Sequence, residues 1–187
     1  MGAGWIWCRR LVCRAALPQS NLVPGGGAAG KNFEWPTCEG DAIFPPTTPL
    51  TPCPLSGTDV VSPVLAYGHD EFASPGDGCG GQGGAVAGGV VLRDASLPAA
   101  YLGRYIYGDY CHQCVWTAAL NAGSPAAVRA SIQDTGLYVG SGVRSISRDS
   151  ADHVYVVHSS GWVKRVDPGP GSDPKPPRHI EPALLCR

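Results

Sequence analysis

The chain has 187 residues and a formal net charge of −1, from 14 basic and 15 acidic side chains. We therefore expect no nucleic-acid partner, because a DNA-binding surface needs an excess of Lys and Arg to displace counterions. No apolar stretch approaches the roughly 18 residues of a membrane span. With 26 Gly, 18 Pro and 43% hydrophobic residues arranged in short runs, the composition is typical of a turn-rich all-β protein.

Residues 1–17 form a ragged N-terminal segment with no clear role. In a signal peptide the positive charge comes first and an apolar stretch follows, whereas here the apolar stretch Gly2–Cys8 precedes Arg9 and Arg10. The eight cysteines of the chain are nevertheless typical of disulfides and of an oxidising compartment.

Residues 18–63 are loop-like and contain the Pro-rich stretch Pro45–Pro54. Proline lacks the amide hydrogen that a central strand requires, so we expect this stretch to be a surface excursion. Cys38 and Cys53 bracket it. A disulfide between them would stabilise the fold by about 3 kcal/mol on the chain-entropy model; the alternative is two unpaired thiols.

Short apolar runs rich in Val, Ile, Tyr and Trp recur from Val64 onward, separated by turn residues. Such runs, at spacings of about 8–12 residues, indicate a sandwich, barrel or propeller. The predicted strands are Val64–Tyr67, Ala85–Leu92, Tyr105–Tyr107, Val115–Leu120, Leu137–Val139, Val143–Ile146, Val154–Val157 and Trp162–Val166. Only Pro125–Ile132 suggests a helix, and it is too short to assign.

One layout occurs twice: an apolar run ends in Gly-Asp or Arg-Asp, a turn follows, and an aromatic-containing run comes next. It is found in YIYGDYCHQCVWTAAL (105–120) and in SISRDSADHVYVVHSSGWVKRV (145–166). A propeller blade is four such strands over about 40–50 residues. Residues 60–167 therefore predict about two blades, and residues 18–59 part of another. We expect the Pro-rich tail, residues 168–187, to be disordered.

Three stretches carry a resemblance to a known family. Residues 30–40 read GKNFEWPTCEG, residues 62–70 and 83–111 read SPVLAYGHD and GGAVAGGVVLRDASLPAAYLGRYIYGDYC, and residues 161–166 read GWVKRV. In order and spacing they are similar to the C-terminal portion of the soluble quinoprotein glucose/sorbosone dehydrogenases. These are secreted or periplasmic sugar dehydrogenases that use PQQ (pyrroloquinoline quinone). The resemblance covers about residues 20–167.

The resemblance implies a fold and a reaction. The fold is a six-bladed, TolB-like β-propeller, of which this chain would form about two to three blades of short antiparallel strands. In active members a His takes the proton of the sugar C1 hydroxyl while hydride passes to PQQ, with Ca²⁺ nearby. That His lies in N-terminal blades that we expect to be absent here, so no catalytic residue is assigned.

The resemblance implies a site role for two residues of this chain. Arg144, in the sequence GVR, matches one of a pair of arginines that contact PQQ. Phe33 matches the residue whose backbone carbonyl binds Ca²⁺. The position of an acidic calcium ligand is Gln19, and a motif Gly is replaced by Glu34. A Lys expected in the turn after Gly-Asp is missing, and Cys111-His112-Gln113 stand there.

The resemblance also implies a disulfide between Cys79 and Cys111. A local Cys111–Cys114 bridge is the alternative, and a lone Cys-x-x-Cys is weak grounds for zinc. We interpret His69, next to Asp70, as a residue that binds the following loop, and three tryptophans as buried aromatics rather than a sugar platform. They are Trp35, Trp116 and Trp162.

Three functions follow as hypotheses. The first is a PQQ-dependent aldose dehydrogenase, acting on a sugar substrate, that is truncated and inactive alone. The second is a non-catalytic, extracellular binding module built on the same propeller. The third is a fragment without function, because a few blades leave unpaired sheet edges that invite aggregation.

Overall fold

The computed structural model describes residues 19–23, 27–45, 49–67 and 84–169, and the backbone of residues 184–186. Within these ranges the chain is almost entirely β-structure, as the composition predicts. Its elements are β1 (Gln19–Asn21), β2 (Cys38–Glu39), β3 (Ala42–Ile43), β4 (Pro63–Ala66), β5 (Val86–Val91), a 3-10 turn (Ala99–Tyr101), β6 (Tyr105–Asp109), β7 (Cys114–Ala118), α1 (Pro125–Ala130), β8 (Gln133–Tyr138), β9 (Val143–Arg148), β10 (Val154–His158), β11 (Val163–Pro168) and β12 (Leu184–Cys186).

The strands form two four-stranded sheets and two small ribbons, and every pair within them is antiparallel. One sheet has the order β5-β6-β7-β8 and the other β12-β11-β10-β9, while β1 pairs with β4 and β2 with β3. Sequence neighbours are therefore sheet neighbours throughout both large sheets. None of these sheets closes on itself within the part of the chain that the structure describes.

All eight strands expected from Val64 onward are present, and one more appears where we expected disorder. Strand β12 pairs with β11, with Leu184 opposite Pro168 and Cys186 opposite Val166. The disordered-tail prediction is therefore wrong for residues 184–186. These residues pair with β11, which lies in another part of the chain. The composition of a Pro-rich segment does not reveal such a partner.

The short helix α1 is explained by its first two residues. The hydroxyl of Ser124 accepts a hydrogen bond from the amide of Ala127 at 3.2 Å, and Pro125 occupies the first helical turn. Ser is favoured as the residue that caps the beginning of a helix. Pro is favoured in the first turn, because an amide hydrogen at that position would have no partner within the helix. At six residues α1 is the longest helix in the described ranges, and no helix there could span a membrane.

The sheet β5–β8 is the middle layer of the molecule. Strands β6 and β7 are buried on both faces, and their alternating side chains separate two cores. On one face Ile106 and Val115 pack against side chains of β9–β11, including Val143 and Val154. On the other face the aromatic residues contact the β1/β4 ribbon and α1; these residues are Tyr105, Tyr107 and Trp116 with Leu65 and Val128.

The two large sheets stack with equivalent strands together. Strand β5 lies against β9 and β8 lies against β12, so the first strand of one meander faces the first strand of the other, and likewise the last. Close approach within the middle sheet requires Gly89, since a Cβ there would lie 1.6 Å from the carbonyl oxygen of Ile106. The ladder of β5 is irregular at this point, between Ala87 and Val90.

The structure contains the expected disulfide between Cys38 and Cys53, whose Cα atoms are 5.6 Å apart. It joins β2 to the segment in which the Pro-rich excursion returns. There the amide of Cys53 donates to the carbonyl of Asp41 at 2.9 Å. The end of the excursion is thus anchored, whereas Leu50 within it is exposed.

The second disulfide involves Cys114, and Cys111 keeps its thiol. The pairings that placed Cys111 in a bridge are therefore wrong. The reason is strand alternation: Cys114 opens β7 and shares the buried face of Trp116, whereas Cys111 lies in the preceding turn. Cys79 lies outside the described residues.

Asp109, at the end of β6, is fully buried and accepts five hydrogen bonds from the described residues. Its Oδ2 accepts from the hydroxyl of Tyr67 at 2.6 Å and from the amides of Gly84 and Ala85 at 3.1 and 3.0 Å. Its Oδ1 accepts from the amides of Cys111 and His112 at 2.7 and 3.2 Å. One carboxylate thus fixes the end of β4, the approach to β5 and the turn into β7.

We predict that Asp109→Asn lowers the free energy of unfolding by about 3 kcal/mol, because an amide group would face donors that now share a charged acceptor. The matched control is Asp59→Asn, an exposed residue paired with Lys31 at 3.2 Å, which should cost less than about 1 kcal/mol. Urea denaturation followed by tryptophan fluorescence measures both. Equal midpoints for the two variants would contradict this role of Asp109.

Candidate functional site

Arg144, the predicted PQQ contact, is exposed on β9. Its guanidinium carbon lies 4.9 Å from the centroid of the Tyr110 ring, a cation–π contact. Tyr110 directly follows β6, and its carbonyl accepts a hydrogen bond from the amide of Gly142 at 2.7 Å. The turn after β6 therefore positions the beginning of β9 and, with it, Arg144.

A second stacked group lies at the same end of the second sheet. The rings of His158 and Trp162 are parallel, with centroids 4.5 Å apart, and Lys164 Nζ lies 4.9 Å from the centroid of Trp162. Together these residues form an exposed surface that we call the aromatic–basic end. It consists of Tyr110, Arg144, His158, Trp162 and Lys164.

Each of the three histidines in the described ranges is held in a structural contact. His112 is fully buried, with its ring edge-on to Trp116 at 5.1 Å. His153 pairs with Asp149 at 3.1 Å, and His158 contacts the Ser141 carbonyl at 2.9 Å besides stacking on its tryptophan. None of the three is placed as a general base over a substrate cavity. His69 and Asp70 lie outside the described residues.

The surroundings of Phe33 do not fit the calcium site that the resemblance implies. Phe33 is half-buried in the loop that pairs with the Asp59–Val61 segment through Asn32. At the position of the acidic ligand, Gln19 is neutral, and its Oε1 accepts from the amide of Gly40 at 2.5 Å. Within the described ranges no three His, Cys, Asp or Glu side chains gather as metal ligands.

The tryptophans are not all core residues. Trp116 is fully buried, Trp162 is partly buried against the core, and Trp35 is 53% exposed. The prediction that all three are buried is therefore confirmed for Trp116, holds only in part for Trp162 and is wrong for Trp35. Its ring packs against Phe44 at a centroid distance of 4.9 Å. Both aromatic residues precede a proline in the loop region, and they cover each other at the surface.

The least expected feature is a half-open cavity of about 200 Å³ beside Glu34. Glu34 lines it and is 2% exposed. Its Oε1 accepts a hydrogen bond from the hydroxyl of Ser62 at 2.8 Å, but its Oε2 is buried and has no partner among the described residues. Across the cavity, Arg129 Nη2 of α1 pairs with Asp41 Oδ2 at 2.9 Å, and Arg129 Nε is also buried without a described partner.

Sequence reasoning placed Arg144 and Phe33 but missed this cavity. The available signal was that Glu34 occupies a glycine position of the family motif. A glycine would suit this position, because residue 34 has a φ of +72°, a conformation that glycine adopts without steric cost. Burial raises the pKa of Glu34, the hydrogen bond from Ser62 opposes this shift, and the charge of Asp41 adds to it.

No protein-family model and no solved structure matches the chain. The chain is similar to the HIPL2 protein of Arabidopsis thaliana, with 31% identity over 90 residues that cover 48% of this chain and 12% of the relative. It is also similar to the HIPL1 protein of the same organism, with 26% identity over 166 residues, 79% of this chain and 22% of the relative. The chain thus spans less than a quarter of the length of these relatives.

We predict a pH dependence of stability that arises from Glu34. Because the folded state raises its pKa above the ordinary 4.5, the folded chain binds the proton more tightly than the unfolded chain. Stability from this group is therefore full below the ordinary pKa and is lost as pH rises through the raised pKa. Glu34→Gln cannot titrate, so its stability relative to the wild type should rise across that window.

Urea midpoints of the wild type and Glu34→Gln, measured from about pH 4 to about pH 7, test this linkage. Glu39→Gln is the control, since Glu39 lies near Glu34 in sequence but is only half-buried. A difference between wild type and Glu34→Gln that does not change with pH would contradict the prediction.

Proposed function

We propose that this chain forms neighbouring blades of a six-bladed, TolB-like propeller related to the quinoprotein glucose/sorbosone dehydrogenases. The observation that carries the proposal is the stacking of two four-stranded antiparallel meanders with β5 against β9 and β8 against β12. Adjacent blades of a propeller pack with equivalent strands together around the central channel. The β1/β4 ribbon, on the other face of β5–β8, would belong to a third blade.

We further propose that these blades do not oxidise sugars on their own. Removing hydrogen from a sugar hydroxyl needs a positioned base, and charge that builds on the acceptor needs preorganised donors. Arg144 is a single exposed cation turned onto Tyr110, and the buried His112 follows the position where a family Lys is expected. The described residues thus do not fit a site for PQQ and Ca²⁺.

We expect no turnover when the purified chain is mixed with PQQ, Ca²⁺ and glucose and reduction of an artificial electron acceptor is followed. Arg144→Gln is the matched variant, and it should give the same background rate and the same PQQ fluorescence as the wild type. Turnover above the protein-free blank that Arg144→Gln abolishes would overturn the proposal and restore the dehydrogenase hypothesis.

A second candidate function is a non-catalytic, extracellular binding module. The observation that favours it is the aromatic–basic end, where Arg144 and Lys164 lie over exposed or partly exposed rings. Two cations on rigid aromatic supports suit an acidic partner surface. The disulfides at Cys38 and Cys114 agree with the secreted or periplasmic location that we propose for the chain.

If this second function is correct, the chain should bind acidic members of a carbohydrate array or an acidic extracellular protein without taking up PQQ. Arg144→Gln combined with Lys164→Gln should weaken that binding by at least about tenfold, a loss of roughly 1.4 kcal/mol. Added salt should weaken it too. Arg93→Gln combined with Lys31→Gln removes two positive charges outside the aromatic–basic end and serves as the charge-matched control. Equal loss in the control, or binding that ignores salt, would rule this function out.

A further inference from the structure

We propose that the exposed rings of Trp35 and Phe44 form a surface site for a neutral oligosaccharide, in which the indole of Trp35 stacks against one face of a pyranose ring. We call these two residues the aromatic pair. The site is separate from the aromatic–basic end and does not depend on the proposed propeller function. It rests on the exposure of both rings, on the ribbon that carries them and on the charges around them.

The aromatic pair stays at the surface although burial would stabilise both side chains. Trp35 is 53% and Phe44 38% exposed, and their ring centroids lie 4.9 Å apart with 49° between the ring planes. A single exposed apolar side chain is common, whereas a contiguous exposed patch marks a binding surface. The expectation of burial, which argued against a sugar platform, is wrong for Trp35, so the ring is available to a ligand.

The backbone beneath the aromatic pair is held in place by hydrogen bonds and by a disulfide. The carbonyl of Glu34 accepts from the amide of Thr37 at 3.0 Å, which closes the turn that contains Trp35. The amide of Phe44 donates to the carbonyl of Thr37 at 2.9 Å, and the disulfide at β2 ties this ribbon to the returning excursion. A ligand that meets prepositioned rings loses little affinity to ordering of the protein.

The charges around the aromatic pair favour a neutral ligand. The sequence has no Lys or Arg from residue 32 to residue 67, so an anionic ligand meets no basic side chain of this ribbon. Of its acidic side chains, Glu34 is buried, Glu39 is half-buried, and Asp41 is paired with Arg129 of α1 at 2.9 Å. A cationic ligand would therefore have to compete with an existing ion pair.

A pyranose ring matches the aromatic pair in its chemistry. One face of a sugar such as glucose consists of C–H groups, whose small positive charges are attracted to the negative face of an aromatic ring. The hydroxyl groups project from the edge of the sugar ring and require polar partners or water. Thr37 is exposed and lies opposite Phe44 on the ribbon, so it offers a hydroxyl beside the rings.

A membrane or an apolar protein surface matches the aromatic pair less well. Insertion of Trp35 into a membrane would bring the carboxylates of Glu39 and Asp41 to the lipid surface, and basic residues, the side chains attracted to anionic lipids, are absent from this ribbon. A stable protein interface buries about 800 Å² of each partner. Two aromatic side chains supply roughly 500 Å² at most even when fully buried, so a small ligand suits the patch better.

Isothermal titration calorimetry on the full chain tests the proposal with cellotetraose, xylotetraose and mannotetraose as ligands. We expect saturable binding of at least one of them with a Kd of about 1 mM or tighter. Because neither partner contributes a net charge to the contact, added salt should leave this binding unchanged. The absence of saturable binding for all three, or binding that weakens steeply with salt, would overturn the proposal.

Substitutions locate the binding on the surface. Trp35→Ala should weaken it by at least about tenfold and Phe44→Ala should weaken it less, while Trp35→Phe, which keeps an aromatic face, should retain part of it. Circular dichroism and the urea midpoint verify that each variant is folded. The matched control is Tyr138→Ala, which removes a ring that is 71% exposed on β8. Arg144→Gln combined with Lys164→Gln should also bind like the wild type.

The controls decide between a specific site and two other interpretations. A loss in Tyr138→Ala as large as that in Trp35→Ala would show that any exposed ring suffices and would overturn the proposal. Sedimentation with phosphatidylcholine vesicles tests lipid binding directly, and we expect none. Sedimentation that Trp35→Ala abolishes, in a chain that binds no tetrasaccharide, would assign the aromatic pair to membranes and overturn the sugar site.

Discussion

The buried carboxylate of Asp109 organises the structure around it. Five donors from three separate segments meet its two oxygens, so β4, β5 and the β6–β7 turn are fixed relative to one another. This turn also holds Tyr110, whose carbonyl binds the amide of Gly142 and whose ring lies beneath Arg144. The position of Arg144, the candidate PQQ contact, therefore depends on the carboxylate of Asp109 at the end of the middle sheet.

Much of the fold could be predicted because its order is local. Both large sheets are meanders, so each strand pairs with its sequence neighbour and short apolar runs between turns suffice to locate it. The Ser-Pro pair likewise marks the beginning of α1. The prediction failed for β12, because this strand pairs with β11 across a long intervening segment. It also failed for Trp35, which packs at the surface against Phe44 from the other side of the β2/β3 ribbon.

The candidate site residues likewise divide into those that a local pattern predicts and those that depend on contacts between distant segments. Arg144 and Phe33 were located by motif, because a motif fixes a position along the chain. The motif does not report that the side chain of Gln19 accepts a hydrogen bond from the amide of Gly40, because that contact joins two segments of the chain. The Glu34 cavity needs α1, far along the chain, to bring Arg129 beside Asp41. No local pattern contains that pairing.

Glu34 carries two separate energetic disadvantages at one position. A side chain in the left-handed region costs roughly 1–2 kcal/mol, and a buried carboxylate oxygen without a donor adds to that cost. Glycine at residue 34 would avoid both, and the backbone hydrogen bonds of this turn, such as that from Cys38 to the Glu34 carbonyl, would not need the side chain. The hydrogen bond from Ser62 to Oε1 offsets only part of these costs, and backbone strain of this kind is typical of functional sites.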